Sequence, residues 1–303
     1  MMHAPAHARR AARRAPNGLA AIQWTVTLVL GAFLIAPVAM SVLAGLTVDY
    51  FHGLSSGLTL RWLGQVWTQY HGSVFLSLEI AFATLAVTLV TGVPAGYALA
   101  RSRGRASRLI EEALVLPVAL PGLASALALL TVYGGWSAFR TSPWFIVAGH
   151  VVFTLPFMVR AVAALAARAD LRTLEEGAAS LGASFAVRFV SVVLPNLREG
   201  IVAGGLAVLT LSIGEFNLTW MLHTPDTKTL PVGLADTYAS LRLEIGSAYT
   251  ILFLLMTLPL LIAMQRLGVD STGARGGAHR RRAPGAPNAG KRAARDDPRL
   301  TRR

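Results

Sequence analysis

Residues 22–46 read IQWTVTLVLGAFLIAPVAMSVLAGL, and no Asp, Glu, Lys or Arg interrupts the chain between Arg14 and Asp49. A helix rises about 1.5 Å per residue, so a run of this length matches the hydrocarbon thickness of a bilayer. Five further apolar stretches follow, at 74–100, 110–133, 143–165, 199–222 and 246–266. The composition agrees: 54% of the 303 residues are hydrophobic, 14% are charged, and the mean hydropathy is +0.54. A water-soluble domain is excluded on that usage. The expected fold class is all-α, a polytopic membrane bundle of six transmembrane helices. Pro37, Pro94, Pro117, Pro121, Pro156 and Pro259 would break soluble helices, but packed neighbours can satisfy the freed carbonyls in a membrane, so kinked spans are predicted.

The net charge of +13 is confined to the ends. Arg9, Arg10, Arg13 and Arg14 put +4 in the N-terminal tail, ten cations against Asp296 and Asp297 put +8 in 271–303, and +1 remains between. Basic tails can attract nucleic acid or anionic lipid, but residues 271–303 lack the interleaved aromatic rings that stack on bases. A nucleic-acid partner is therefore not expected; the bilayer is. The basic N-terminus before an apolar run also fits a secretory leader, but the run is too long and five spans follow it. With the N-terminus inside, the inner segments hold 24 Lys and Arg against four outside. That asymmetry places both termini in the cytoplasm. The chain then divides into a basic tail at 1–21, a first span at 22–46 and an extracytoplasmic loop at 47–73 carrying Tyr50, Phe51, Trp62, Trp67 and Tyr70. A core at 74–266 follows with five spans and a long inner loop at 167–197, and last comes an unfolded basic tail at 267–303.

The inner loop is the most informative segment. Residues 170–195 read DLRTLEEGAASLGASFAVRFVSVVLP. Asp170 or Thr173 is a candidate N-cap, with Glu175 and Glu176 in a first turn that favours carboxylates. Gly182 supplies a stop. A second helical piece, Phe185 to Val193, is expected to end before Leu194-Pro195. Ala and Gly leave one side of the first helix bare, which admits another protein at close range.

Glu176-Gly177-Ala178, then Gly182, Val192 and Leu194-Pro195, resembles the EAA loop of binding-protein-dependent ABC importer permeases of the type I fold. Every spacing is met, and Gly177 stands where Ala is usual. The likeness extends over about 74–266, including LPVALPG at 116–122, HVVFTLPFMVR at 150–160 and LSIGEFNLTW at 211–220. It implies that a helix at about 172–182 docks into a groove of a cytoplasmic ABC ATPase subunit, with Glu176 facing basic or amide donors there. It also implies a second permease subunit, as homo- or heterodimer, an extracytoplasmic solute-binding protein, and residence in the bacterial cytoplasmic membrane. LSIGEF and TLPVGL at 229–234 resemble most the subgroup handling spermidine and putrescine, with 2-aminoethylphosphonate or ferric iron as alternatives.

No chemistry of its own is legible in the chain. Gly285 to Lys291 fits G-x-x-x-x-G-K, but Arg292 replaces the Ser or Thr that holds magnesium and no strand precedes it. Zero cysteines exclude disulfides, thiolate metal sites and cysteine nucleophiles. The seven histidines show no metal or catalytic spacing, and His150, alone within a span, reads as a packed, hydrogen-bonded residue. No catalytic residue, metal or cofactor is expected. Ionisable groups in hydrocarbon normally face a cavity or a partner, which makes Glu79, Glu215 and neighbouring Asn217 the substrate-pathway candidates. Glu111 and Glu112 are expected to pair with Arg105 or Arg108. A lone channel or ion-coupled carrier is the remaining rival, distinguished by whether an ATPase copurifies.

Overall fold

The computed structural model describes residues 17–102 and 104–280. The expectations placed on the chain up to residue 16, on Arg103 and on 281–303, including the G-x-x-x-x-G-K match, lie outside the described residues. Among the described residues the helices are α1 (Asn17–Ala44), α2 (Arg61–Arg101), α3 (Arg105–Ala119), α4 (Gly122–Tyr133), α5 (Ser137–Arg140) and α6 (Pro143–Ala166). Then come α7 (Ala169–Ser180), α8 (Phe185–Arg188), α9 (Leu194–Gly214), α10 (Asn217–Leu222), α11 (Leu230–Ala239) and α12 (Leu243–Arg280). Helix α12 thus continues beyond the boundary expected at 266. No strand occurs among these residues, only an isolated antiparallel bridge between Thr47 and Leu58.

Five stretches are long and apolar enough to cross a membrane: Ala20–Ala44, Arg61–Arg101, Pro143–Ala166, Phe185–Gly214 and Leu243–Arg266. Helices α3 and α4, bent by 105° at their junction, make a sixth when the pair is counted as one broken span. The third stretch, expected at 110–133 with kinks at its prolines, is broken at Pro121. Leu120 precedes Pro121 and takes an extended conformation (φ −83°, ψ 142°), because the proline ring disfavours the helical region for the residue before it. The fifth span ends at Gly214, and α10 is a separate short helix rather than its continuation. Residues 61–73, read as loop, are instead the first turns of α2.

The chain divides into two compact units. The first takes in the described residues up to 81 together with 122–149 and 213–257. Its core holds Val66, Leu230, Ile245, Ala248 and Tyr249. Helix α1 meets it at its last turn, where Ser41 and Tyr238 share a 3.0 Å hydroxyl hydrogen bond; no residue in the most apolar part of α1 is buried. The Trp62 indole donates to the Thr47 carbonyl (2.9 Å), and the Tyr50 N–H donates to Glu244 Oε1 (3.2 Å), which ties the 47–58 segment down.

The second unit takes in 82–121, 150–212 and the described residues from 258 onward. Val93, Met158, Val162, Leu171, Val193, Leu197 and Val208 form its core. Lipid is as apolar as leucine, so helices here are held by close van der Waals contact, which small residues permit. Glycine supplies that contact on both sides of α6. A β-carbon at Gly96 of α2 would lie 2.7 Å from the Val159 carbonyl oxygen, and one at Gly92 would lie 2.9 Å from Met158 Cγ. On α9, Gly200 would place one 2.7 Å from the Ala161 oxygen and Gly204 one 2.9 Å from Met158 Sδ. His150 is buried, and its Nδ1 shares a 2.8 Å hydrogen bond with Ser212 Oγ, the packed role expected of it.

Candidate functional site

The loop after α6 folds as expected into a short helix with a glycine stop. Helix α7 begins at Ala169, earlier than either proposed cap; its N-cap is Arg168, with no side-chain bond, and Asp170 lies in the first turn. A carboxylate there meets the positive helix end directly, which offsets the missing cap. Gly182 has φ +82°, the Gly182 N–H donates to the Ala179 carbonyl (2.9 Å), and the Ala183 N–H donates to that of Ala178 (3.1 Å). This nested pair of bonds is the Schellman arrangement, and the left-handed backbone it needs favours glycine.

The second piece differs from expectation. Ser184 Oγ accepts the Val187 N–H at 3.5 Å and starts α8, but the helix does not stop before Leu194-Pro195. It widens into a π turn at Phe189–Val193, where the Leu194 N–H donates to the Phe189 carbonyl, and runs on as α9. The wider turn carries the chain into Pro195, which has no N–H to give.

Side chains on α7 divide by face. Leu171 and Glu175, four apart and therefore on one side, are buried. Glu176 points the other way, exposed, with Arg172 Nε at 2.8 Å beside it. A β-carbon at Gly177 or Gly182 would meet nothing within 4 Å, so this side of the helix is bare, and alanine would fit at Gly177. Around it stand Leu174, Leu181 (90% exposed), Phe185, Val187 and Val190, all exposed. These apolar side chains are turned away from the chain's own core; Phe185, Val187 and Val190 also open the Phe185–Gly214 stretch that is apolar enough to enter a membrane. The structure thus gathers Glu176, Gly177, Ala178 and Gly182 on one exposed segment. Leu194 instead packs on the second unit's core and Pro195 sits at the π junction, so these two support the segment rather than extend its surface.

The carboxylates of the apolar body do not share one site. Glu79 is exposed on α2 and lines an open cleft of about 430 Å³ with Gln69, Tyr70, Ser73, Asp226 and Lys228. Lys228 Nζ is already engaged by Asp236 Oδ2 at 2.5 Å. Glu215 stands at the break between α9 and α10, where its Oε1 accepts the Leu218 N–H at 2.7 Å; it caps α10. Asn217 is exposed beside it, and the Asn217 Cβ and Glu215 Oε1 would lie 3.1 and 3.6 Å from a β-carbon on Gly122, the first residue of α4. Helix α4 packs on α10 here. Glu111 and Glu112 are exposed and form no ion pair with Arg105 or Arg108, consistent with the small gain of such surface pairs. Glu111 instead lines a cavity of about 240 Å³ with Arg160 and Pro156.

Three features escaped sequence reasoning. Glu175 binds Tyr97 and Arg101. Arg140 donates to the carbonyls of Leu222 (2.7 Å) and His223 (3.4 Å), closing the C-terminus of α10 as cations do. Asp226 and Lys228 join Glu79. Only the buried face of α7 left a trace, in the four-residue spacing of Leu171 and Glu175.

Among known proteins, PhnV of Salmonella typhimurium, named for a 2-aminoethylphosphonate transport system, is 28% identical over 258 residues, covering 83% of this chain and 96% of PhnV. The molybdenum transport system permease protein ModB of Mycobacterium tuberculosis is 33% identical over 178 residues, 53% of this chain and 66% of ModB. The putrescine transport system permease protein PotI of Escherichia coli is 28% identical over 219 residues, 68% of this chain and 76% of PotI. A solved chain from a bacterial ABC transporter involved in the import of the acidic polysaccharide alginate superposes with TM-score 0.62 at 14% identity, over 88% of this chain and 99% of that one, and shares the fold. Residues 92–268 match the family described as binding-protein-dependent transport system inner membrane component. That match spans more than half of the sequence, and the chain belongs to this family: it is a multi-pass inner-membrane permease subunit of an ABC importer, a transport component and not an enzyme.

Proposed function

We propose that this permease passes a small amine-bearing solute, a polyamine such as putrescine or spermidine, across the membrane by alternating access driven by a separate ATPase subunit. The observation that carries the ATPase reading is the uncovered segment around Glu176 and Gly182, bare on one side and ringed by Leu174, Leu181 and Phe185. It has the shape a cytoplasmic groove would seat, and the concentration of Lys and Arg on its side of the membrane supports an inner location for it and for both termini. Uncovered α1 offers its apolar surface to lipid or to a second permease subunit. An extracytoplasmic binding protein, which the family description requires, would meet the segments joining the spans on the other side.

Support for an amine comes from the cleft at Glu79. Its lysine is neutralised by Asp236, which leaves the Glu79 and Asp226 carboxylates to face a cation. PotI is named for putrescine and PhnV for an aminophosphonate, both of them amines. Relatedness to PhnV over 83% of this chain favours 2-aminoethylphosphonate as the second reading.

Two measurements test this. A photoreactive label at Ser180→Cys, unique in a chain without cysteine, should capture the ATPase subunit in assembled membranes; capture of lipid alone would end the docking reading. Uptake of radiolabelled putrescine should be competed by spermidine. Competition by 2-aminoethylphosphonate alone would select the second solute, and competition by molybdate alone would reject both.

A further inference from the structure

Glu175 and Glu176 are consecutive, yet their surroundings are opposite. Neighbouring helical side chains diverge by about 100°, so a pair straddling the edge of a helix face sends one inward and the other out. The Glu175 side chain is 7% exposed. Its Oε2 accepts the Tyr97 hydroxyl at 2.7 Å and meets Nη2 of Arg101. The Arg101 guanidinium lies 5.4 Å from the Tyr97 ring centre, and that ring meets Phe189 edge-on at 5.5 Å. One carboxylate thereby joins α7, the last turns of α2 and the π turn that follows α8.

Stability alone does not account for it. Replacing a buried ion pair by apolar side chains of similar volume is often neutral or stabilising, and leucine at 175 would find Leu171 and Val193 in the adjoining core. Glu175 Oε1 is moreover buried without a hydrogen-bond partner among the described residues, a cost an apolar side chain would not bear. What the ion pair adds is direction: hydrogen bonds fix register and angle, whereas apolar faces can slip.

We infer that Glu175 is a positioning residue that clamps α7 to the C-terminal turns of α2 through Arg101 and Tyr97, so that displacement of α7 is delivered to α2 without slippage. This rests on the reading of α7 as the ATPase-docking helix. The segments it joins, and the contacts that hold it, all belong to the second unit.

The test is a distance between spin labels at Ser180→Cys on α7 and Val90→Cys on α2, read by pulsed electron paramagnetic resonance. The full permease is reconstituted with its ATPase subunit in lipid nanodiscs, and spectra are taken without nucleotide and after trapping with ATP and vanadate. The expected result is one narrow distribution in both states. Glu175→Leu leaves Arg101, whose side chain is 30% exposed, free to turn to water; the variant should keep assembly and thermal stability but broaden the trapped distribution about twofold, since a two-position element has lost its lock. Exchanging the charges, Glu175→Arg with Arg101→Glu, should narrow it again. An unclamped but equally narrow Glu175→Leu distribution would overturn the inference, as would a distance that shifts on trapping in the otherwise unchanged protein. Should Glu175→Leu fail to fold, Glu175→Gln with Arg101→Gln removes the ion pair without leaving a buried unpaired charge and is judged by the same broadening. An ATPase subunit that never binds defeats the docking reading and the clamp's purpose together; a bound one with unaltered distances defeats the clamp alone.

Discussion

Gly200 of α9 abuts the main chain of α6 at Ala161, so closely that a β-carbon on the glycine would fall 2.7 Å from the Ala161 carbonyl oxygen. Gly96 of α2 stands in the same relation to Val159. In a bilayer such contacts replace the hydrophobic drive that holds soluble helices together.

Enlarging these positions should therefore separate packing from docking. Gly200→Leu or Gly96→Leu is expected to cost about 1–3 kcal/mol or more, the range for overfilling a packed interface. Gly177→Ala, where nothing lies within 4 Å, should change stability by less than about 0.5 kcal/mol. Thermal unfolding midpoints in detergent decide it, and equal effects at the two kinds of glycine would contradict the packing described.

Gly182 makes the opposite case. It has open space but a backbone at φ +82°, where an L-residue is disfavoured by roughly 1–2 kcal/mol. Gly182→Ala should loosen the end of α7 modestly. Gly182→Trp adds bulk on the exposed side and should uncouple ATP hydrolysis from uptake while leaving insertion intact. Hydrolysis and uptake measured on the same proteoliposomes check this; normal uptake by Gly182→Trp would refute it.

At the α9–α10 break, Glu215→Ala should cost about 1 kcal/mol, the usual loss for a helix cap, whereas Glu215→Gln keeps an acceptor oxygen for the Leu218 N–H. If the cap is the main role, uptake by Glu215→Gln stays near that of the unchanged protein. Abolished uptake in a stable Glu215→Gln protein would instead assign the charge to the solute.

Asp49 governs the turn at 49–56. Its Oδ1 accepts the backbone N–H groups of His52 (2.9 Å) and Phe51 (2.8 Å) and faces the His52 ring. The bond from the His52 backbone, foremost among these, holds its carboxyl below the usual aspartate value. A depressed native value means that the contribution is complete above the ordinary pKa of about 3.9 and disappears as pH falls through the lowered one. Amide exchange at residues 50–56 should thus accelerate below that point after correction for intrinsic rates, and Asp49→Asn should abolish the pH step. A step that persists in Asp49→Asn would assign it to another group.

Hydropathy made the spans legible, because a run of apolar residues matched to bilayer thickness has few other uses. Where the spans break was not legible from proline alone. Pro37, Pro94, Pro117, Pro156 and Pro259 all lie inside continuous helices, and only Pro121, followed by Gly122, sits at a sharp bend. A proline removes one donor, which neighbours can compensate, and the adjoining glycine adds the freedom to turn. The exposed α7 surface was readable from spacing. The inward role of Glu175 was not, because its partners Tyr97 and Arg101 are more than 70 residues away and adjacent glutamates look alike in one dimension. Glu215 was readable as important but not as a cap, since that depends on where α9 ends.

The glycine notches flanking α6 recur every four residues on both neighbours, at 92 and 96 and at 200 and 204. Four residues of helix are about 6 Å of travel. If α6 slides along either neighbour during transport, it finds no comfortable intermediate seat: ridges must climb out of one pair of hollows before dropping into the next. Such a helix moves like a bolt with detents, and a gate built on it would have settled stops instead of a continuous range of openings.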